Sequence, residues 1–168
     1  MYCLFSKIKN FLITFLLFAG LIGCEKSNFE HVPYVPVDIE INLYPNLQAM
    51  VTGQTALILP DDNNNGYIKI NDERSGIIPL TSKVFGNGII IYRYDDQVFY
   101  AYDRTCTFQP SKNCAVEIDD SGWLPSCPCC QSQFIITFNG SPTENSKAML
   151  SLKQYHTRIS RGVLYISN

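Results

Sequence analysis

The feature that most constrains this chain is a cluster of five cysteines within 25 residues. The 168-residue sequence contains seven cysteines, and the cluster holds five of them: Cys106, Cys114, Cys127, Cys129 and Cys130. Thiols concentrated in this way hold a metal, carry out redox exchange or form disulfides. The cluster therefore predicts two loops that are brought together in the fold, and each of these three chemistries leaves a different signature in the surrounding sequence.

The spacing of the cysteines bears on all three chemistries. A structural zinc site usually uses two C-x-x-C pairs, whereas only Cys127 and Cys130 have that spacing here. A thioredoxin-type redox pair begins a helix, but the following residues, 131–138, predict a strand. Disulfide formation is the third chemistry. Because five is an odd number, at least one of these thiols would stay free or pair with another molecule.

The amino-terminal residues resemble an export signal. Two lysines, Lys7 and Lys9, precede an apolar run of about 12 residues, shorter than the roughly 20 needed for a membrane-spanning helix. The run ends in Leu-Ile-Gly-Cys, which resembles a bacterial lipobox. That resemblance implies cleavage after residue 23, acylation of Cys24 and anchoring to the lipid bilayer of a bacterial envelope membrane.

The domain organisation follows from this signal. Residues 1–23 are the predicted lipoprotein signal peptide, residues 24–36 a proline-containing tether, and residues 37–168 the folded domain. Removing residues 1–23, which contain two lysines and no acidic residue, would change the formal charge from −2 to −4. This charge argues against nucleic acid as a partner, because phosphate binding requires clustered basic residues.

The composition of the whole chain favours strands. Ten tyrosines and ten phenylalanines accompany many Val and Ile residues, and the helix-forming residues do not dominate. Alternation of apolar and polar residues makes 37–43 the clearest strand, and 47–59 is too irregular to assign. Other strands are predicted at 88–94, 97–102, 115–118, 134–138, 154–159 and 163–166. The predicted fold class is all-β, as a small antiparallel sandwich or barrel.

Three segments carry a resemblance to a known family. They are AYDRTCTF at 101–108, CPCCQSQF at 127–134, and a tail with Gly-Ser-Pro at 140–142 followed by LKQY at 152–155. Together they resemble a Rieske iron–sulfur domain, whose loops carry C-x-H and C-P-x-H-G-S-x-F. The resemblance covers roughly residues 36–168. It implies a β-sandwich or barrel with a small two-loop cluster-binding subdomain.

The resemblance also implies where a 2Fe-2S cluster would be held. Cys106 and Cys127 match the cysteine ligands, whereas the two histidine positions are occupied by Phe108 and Cys130, and the following glycine by Gln131. Phenylalanine has no lone pair to donate. His156 does not replace a ligand, because its strand alternation places it on a solvated face with Gln154 and Arg158.

Two outcomes remain open for the five thiols. Many Rieske domains brace their cluster loops with a disulfide, and the resemblance implies the pair Cys114 and Cys129; Cys106 would then pair with Cys130 or Cys127. The alternative is a 2Fe-2S cluster held by Cys106, Cys127 and Cys130, the candidate cofactor and metal ligands, together with Cys114 or Cys129. An all-thiolate cluster of this kind would have a reduction potential near about −400 mV.

The function expected from the sequence is that of a membrane-anchored envelope lipoprotein without a cofactor. Its Rieske-like domain would have a non-catalytic binding or structural role with an envelope protein partner, and no catalytic residue is predicted. Electron transfer through a 2Fe-2S cluster is the alternative, and fold alone does not decide between the two functions.

Overall fold

The computed structural model describes residues 31–71, 73–79, 82–119 and 122–168. The predicted signal peptide, the lipidation site at Cys24 and most of the predicted tether lie outside these residues. Residues 31–37 have no regular secondary structure, and they lie against the carboxy terminus through a hydrogen bond from Asn168 Nδ2 to the carbonyl of Val35. No helix in the described part of the chain is both long and apolar enough to cross a membrane.

The fold is almost entirely antiparallel β structure, which confirms the predicted fold class. The residues that the structure describes form ten strands and one helical turn, in chain order: β1 Asp38–Asn42, α1 Leu43–Asn46, β2 Thr55–Pro60, β3 Gly66–Ile70, β4 Glu73–Ile77, β5 Ile89–Arg93, β6 Phe99–Asp103, β7 Phe134–Ile135, β8 Ser141–Pro142, β9 Gln154–Ser160 and β10 Val163–Ser167. A 3₁₀ turn, Pro110–Lys112, lies between β6 and β7.

Eight of these strands form one curled sheet in the order β1-β10-β9-β6-β5-β2-β3-β4. The three outer strands join the rest through a short pairing, in which Ala101 lies opposite Tyr155 and Tyr102 opposite Gln154. The helical turn α1 contacts both edge strands, β1 and β4. On the β4 side, Ser75 Oγ donates a hydrogen bond to the carbonyl of Asn46, so the two edges of the sheet lie on either side of α1.

The central strands are buried on both faces, which explains why β5 has no polar alternation. Ile89 and Ile91 point into the larger core inside the curled sheet, whereas Ile90 and Tyr92 point into a second core. The second core is formed under the cysteine-bearing segments and contains Cys106, Cys127 and Cys130 among its buried residues. The cysteine loops therefore pack on the outer face of the sheet as a separate small layer.

Several predicted strands differ from those observed. Residues 115–118 make only single bridges, from Ala115 to Thr105 and from Glu117 to Ser126, because this stretch pairs with two different neighbours instead of one strand. The strand predicted at 134–138 ends at Ile135, where a turn closed by the Phe138 N–H and the Ile135 carbonyl begins. Strands β2, β3, β4 and β8 were not predicted. The strands predicted at 37–43, 88–94, 97–102, 154–159 and 163–166 correspond to β1, β5, β6, β9 and β10.

Candidate metal centre

The first cysteine loop, residues 104–118, begins where β6 ends. The buried carboxylate of Asp103 fixes its start: one oxygen accepts the Thr105 N–H at 2.7 Å and the other accepts the Tyr155 hydroxyl at 2.7 Å. The base of the loop is closed by a hydrogen bond from the Val116 N–H to the Arg104 carbonyl at 2.7 Å. Cys106 and Cys114 thereby lie opposite each other, with the Cys106 N–H donating to the Cys114 carbonyl at 2.9 Å.

The second cysteine loop, residues 123–133, folds back on itself around Cys127. The Cys127 N–H donates to the Ser132 carbonyl, and the Gln131 N–H donates to the Cys127 carbonyl, each at 2.8 Å. Gln131 adopts a left-handed conformation with φ of 64°. This is the position at which the Rieske motif has glycine, so the tight turn of the motif is present although the residue that favours it is not.

A disulfide joins the two loops between Cys114 and Cys129. This is the pair that the resemblance implied. The further pairing expected for Cys106 is not found, since Cys106, Cys127 and Cys130 are free thiols. The sulfurs of Cys106 and Cys130 are 3.6 Å apart, a distance for non-bonded sulfurs and much longer than a disulfide bond.

The three free thiols form a compact, buried group. Their Sγ atoms all lie within 4.8 Å of one another, and Cys106, Cys127 and Cys130 have exposed fractions of only 2%, 1% and 5%. The structure thus brings together the three candidate ligands that were predicted from the sequence. A second sulfur group overlaps the first, because Cys127 Sγ is also 3.7 Å from Cys114 Sγ of the disulfide.

Burial and hydrogen bonding act differently on two of these thiols. Burial raises the pKa of Cys106 far above its usual value. Burial also acts to raise the pKa of Cys130, but its hydrogen bonds with the hydroxyl and backbone N–H of Ser132, together with those to Cys127 and Cys106, outweigh this effect and lower that pKa. The charge of a thiolate is thus better accommodated at Cys130 than at Cys106.

Ser132 is a site residue that lies within the CPCCQSQF motif and was not predicted as part of the site. It is fully buried, its Oγ is 3.1 Å from Cys130 Sγ, and it accepts the Ala148 N–H at 2.9 Å. It therefore ties the thiol group to the segment that precedes β9. The signal in the sequence was its place in the C-P-x-H-G-S-x-F pattern.

The two histidine positions of the Rieske motif differ in their surroundings. Cys130 is inside the thiol group, whereas Phe108 is 37% exposed at the surface of the first loop. His156 is exposed on β9, on the solvated face that was predicted for it. Among the described residues, the only groups of three or more potential ligands are the two overlapping cysteine groups.

A 2Fe-2S cluster does not fit the ligands that the structure presents. The cluster requires four protein ligands, two for each iron. The free thiols supply three, Phe108 supplies none, and the remaining two sulfurs, on Cys114 and Cys129, are bonded to each other. Among the cysteines of the described residues, a fourth thiolate would become available only if that disulfide were reduced.

The third segment of the resemblance, Gly-Ser-Pro at 140–142 followed by LKQY at 152–155, contributes to the second core on which the cysteine loops pack. Gly140 has φ of 64°, and a Cβ at this position would lie 3.1 Å from the ring of Tyr102. Glycine is therefore favoured both by the turn and by the close approach of the Tyr102 ring. Ser141 and Pro142 form β8 and pair with β7, and Leu152 packs into the second core. The chain has a Rieske-like arrangement of two cysteine loops.

The chain is similar to several solved structures, and two of them are named below. No family model matches the chain, and no curated protein does. One similar structure is a chain in the complex of reduced oxygenase and oxidized ferredoxin in carbazole 1,9a-dioxygenase; it is 16% identical, with 82% of this chain and 94% of that chain covered and a TM-score of 0.42. Another is described as "Crystal Structure of putative NADH-dependent nitrite reductase small subunit from Mycobacterium tuberculosis"; it is 16% identical, with 80% of this chain and 97% of that chain covered and a TM-score of 0.39.

Proposed function

We propose that this protein is a bacterial envelope lipoprotein whose Rieske-like domain works without a 2Fe-2S cluster. Acylated Cys24 holds it on a membrane, and the domain has a binding or structural role with an envelope protein partner. The number of ligands supports the absence of a cluster, because three free thiols are available where a cluster requires four ligands.

The bracing of the loops supports a role that does not depend on a cluster. In the described residues the two loops are joined by the Cys114–Cys129 disulfide, by the bridge between Glu117 and Ser126, and by shared burial in the second core. A disulfide that closes about 15 residues contributes roughly 3 kcal/mol in the chain-entropy model. The loops therefore keep their arrangement through bonds of the chain itself.

Membrane anchoring rests on the sequence of residues 1–24. Expression of the full chain and of a Cys24→Ala variant in a bacterial host tests it. We expect the wild-type chain in the membrane fraction and labelled by a radioactive fatty acid, and the variant unlabelled. Equal labelling of both chains would contradict acylation at Cys24.

The alternative function is electron transfer, and one observation favours it. Cys127 Sγ lies 3.7 Å from Cys114 Sγ, so reduction of the disulfide would place a fourth thiol beside the three that are already together. Cys106, Cys127 and Cys130 with Cys114 or Cys129 could then complete an all-thiolate ligand set.

Iron and acid-labile sulfide per chain distinguish the two functions. The measurement uses the full-length chain, expressed under conditions that support cluster assembly and purified anaerobically. Near-zero values of both are expected from the proposed function. About two of each per chain would establish the electron-transfer alternative.

A further inference from the structure

The three free thiols have the geometry of a site for one metal ion. With a metal–sulfur distance of about 2.3 Å, tetrahedral coordination places the ligand sulfurs about 3.8 Å apart. The sulfurs of Cys106 and Cys130 are 3.6 Å apart, and all three sulfurs lie within 4.8 Å of one another. One ion therefore fits this triangle with small adjustments of the side chains.

The local backbone supports the same interpretation. Cys127 and Cys130 have the C-x-x-C spacing of a metal-binding turn, and the third sulfur comes from the neighbouring loop. The Ser132 hydroxyl hydrogen-bonds Cys130, with its oxygen 3.1 Å from Cys130 Sγ, and the Ala148 N–H holds that hydroxyl in place. Such bonds stabilise and orient metal-bound thiolates, as outer-shell donors generally do.

We propose that Cys106, Cys127 and Cys130 bind a single thiophilic divalent ion such as Zn²⁺. Three protein ligands leave the fourth tetrahedral position for water, the arrangement found in zinc sites that keep an open position. Binding releases the thiol protons to solvent and changes the oxidation state of no atom. This inference rests on the proposed function in one respect, because the three thiols must not be occupied by a 2Fe-2S cluster.

The Cys114–Cys129 disulfide excludes two of the five clustered cysteines from the proposed metal site. The overlapping sulfur group of Cys114, Cys127 and Cys129 contains two sulfurs that are already bonded to each other. Thiolates are the metal-binding form of cysteine, so this second group has only one free ligand. The ion is therefore assigned to the buried group, and removal of the disulfide serves as the matched control.

Cobalt titration of the full-length chain tests the proposal. The chain is purified anaerobically without reductant, so that the disulfide is retained, and Co²⁺ is added as a spectroscopic probe. We expect one Co²⁺ per chain, with thiolate-to-cobalt charge-transfer absorption that disappears when one equivalent of Zn²⁺ is added. Absence of this absorption in the wild-type chain would overturn the proposal.

Two variants locate the ligands. Cys130→Ser should weaken Zn²⁺ binding by more than about 100-fold, because it removes a direct ligand, and Cys130→His should restore binding because imidazole is also a zinc ligand. The Cys114→Ser/Cys129→Ser double variant should retain the charge-transfer absorption. Thermal unfolding of each metal-free variant verifies that it is folded. Loss of binding in the double variant, with binding kept in Cys130→Ser, would place the ion elsewhere and overturn the assignment.

Acid-labile sulfide separates failure of this inference from failure of the proposed function. One ion per chain without sulfide supports both. A chain that holds neither an ion nor sulfide overturns the metal site but leaves the proposed function intact. Iron with about two sulfides per chain overturns both, because the same thiols would then hold a cluster.

Discussion

At the scale of single residues, Asp103 and Tyr155 connect the start of the first cysteine loop to strand β9. The Tyr155 hydroxyl donates to the buried Asp103 carboxylate at 2.7 Å, and the other carboxylate oxygen accepts the Thr105 N–H. This tyrosine belongs to the LKQY segment, one of the segments in which the sequence resembles a Rieske domain. The structure gives its tyrosine a physical role, which is to satisfy a buried carboxylate beside the site.

Replacement of Tyr155 by phenylalanine should therefore destabilise the domain. The variant leaves one oxygen of a buried carboxylate without its donor, and we expect the free energy of unfolding to fall by about 1–3 kcal/mol. Urea denaturation measures the change. Tyr94→Phe, at a tyrosine that is 51% exposed, should change stability by less than about 0.5 kcal/mol, and equal losses in the two variants would contradict this role of Tyr155.

Gln131 offers a test of the turn that carries Cys127 and Cys130. Its φ of 64° is a left-handed conformation, which is costly for a residue with a side chain and free of that cost for glycine. We expect Gln131→Gly to raise the free energy of unfolding by about 0.5–1 kcal/mol. The exposed Gln133 bridges Ser126 in an extended segment, and Gln133→Gly should lower stability. A loss in both variants would argue against the turn as described.

The residue scale also shows what the sequence could not determine. Cys106, Cys127 and Cys130 were selected from motif positions, and the structure brings their sulfurs together. The Rieske resemblance left two pairings of Cys106 open, and the structure contains neither of them because all three thiols are free. The role of Ser132 depends on its burial and on its contact with Cys130 across a turn, and neither can be read from a linear motif.

At the scale of elements, the strands that the sequence predicted well are those with a regular period or a long apolar run. Strand β1 alternates between buried and exposed residues, as 37–43 predicted. Strand β4 was not predicted because its residues, ERSGI, are mostly exposed at the edge of the sheet and carry no apolar period. Residues 115–118 have an apolar alternation but belong to a loop, so tertiary contacts there determine the structure in place of local propensity.

The hairpin between β9 and β10 gives a prediction at this scale. Its two turn residues, Arg161 and Gly162, have φ of 51° and 76°, which is the pattern of a type I′ turn. Asparagine tolerates the first position better than arginine, so Arg161→Asn should raise the free energy of unfolding by about 0.5–1 kcal/mol. The β-branched variant Arg161→Val should lower it. Thermal unfolding measures both, and the opposite order would contradict this turn assignment.

At the scale of the whole molecule, the two cores share the central strands. Strand β6 points Phe99 and Ala101 into the larger core and Tyr102 into the core beneath the cysteine loops. The Tyr102 hydroxyl donates to the Ile136 carbonyl at 3.0 Å, which ties the sheet to the segment after β7. Composition predicted a single all-β domain, but which residues face which core became visible only once the sheet order was known.

The stability of the molecule should fall in alkaline solution between about pH 10 and 12. Burial, and after it the neighbouring Tyr100, raises the pKa of Tyr102 from 10.0 to about 12, so the unfolded chain ionises this tyrosine first. The stabilisation is present in full below pH 10 and is lost as the pH rises towards 12. Unfolding free energies measured across this range should decline less steeply in Tyr102→Phe than in the wild-type chain. Equal slopes would contradict the raised pKa.

We propose that the disulfide, the bridge between the loops and the shared core hold the two cysteine loops in their Rieske-like arrangement without a 2Fe-2S cluster. Acid-labile sulfide tests it most directly, because sulfide belongs to the cluster and not to a single bound ion. The measurement is made on the anaerobically purified full-length chain, before and after incubation with iron and sulfide. We expect near-zero sulfide per chain in both samples, whereas about two sulfides per chain in either sample would show that the loops hold a cluster.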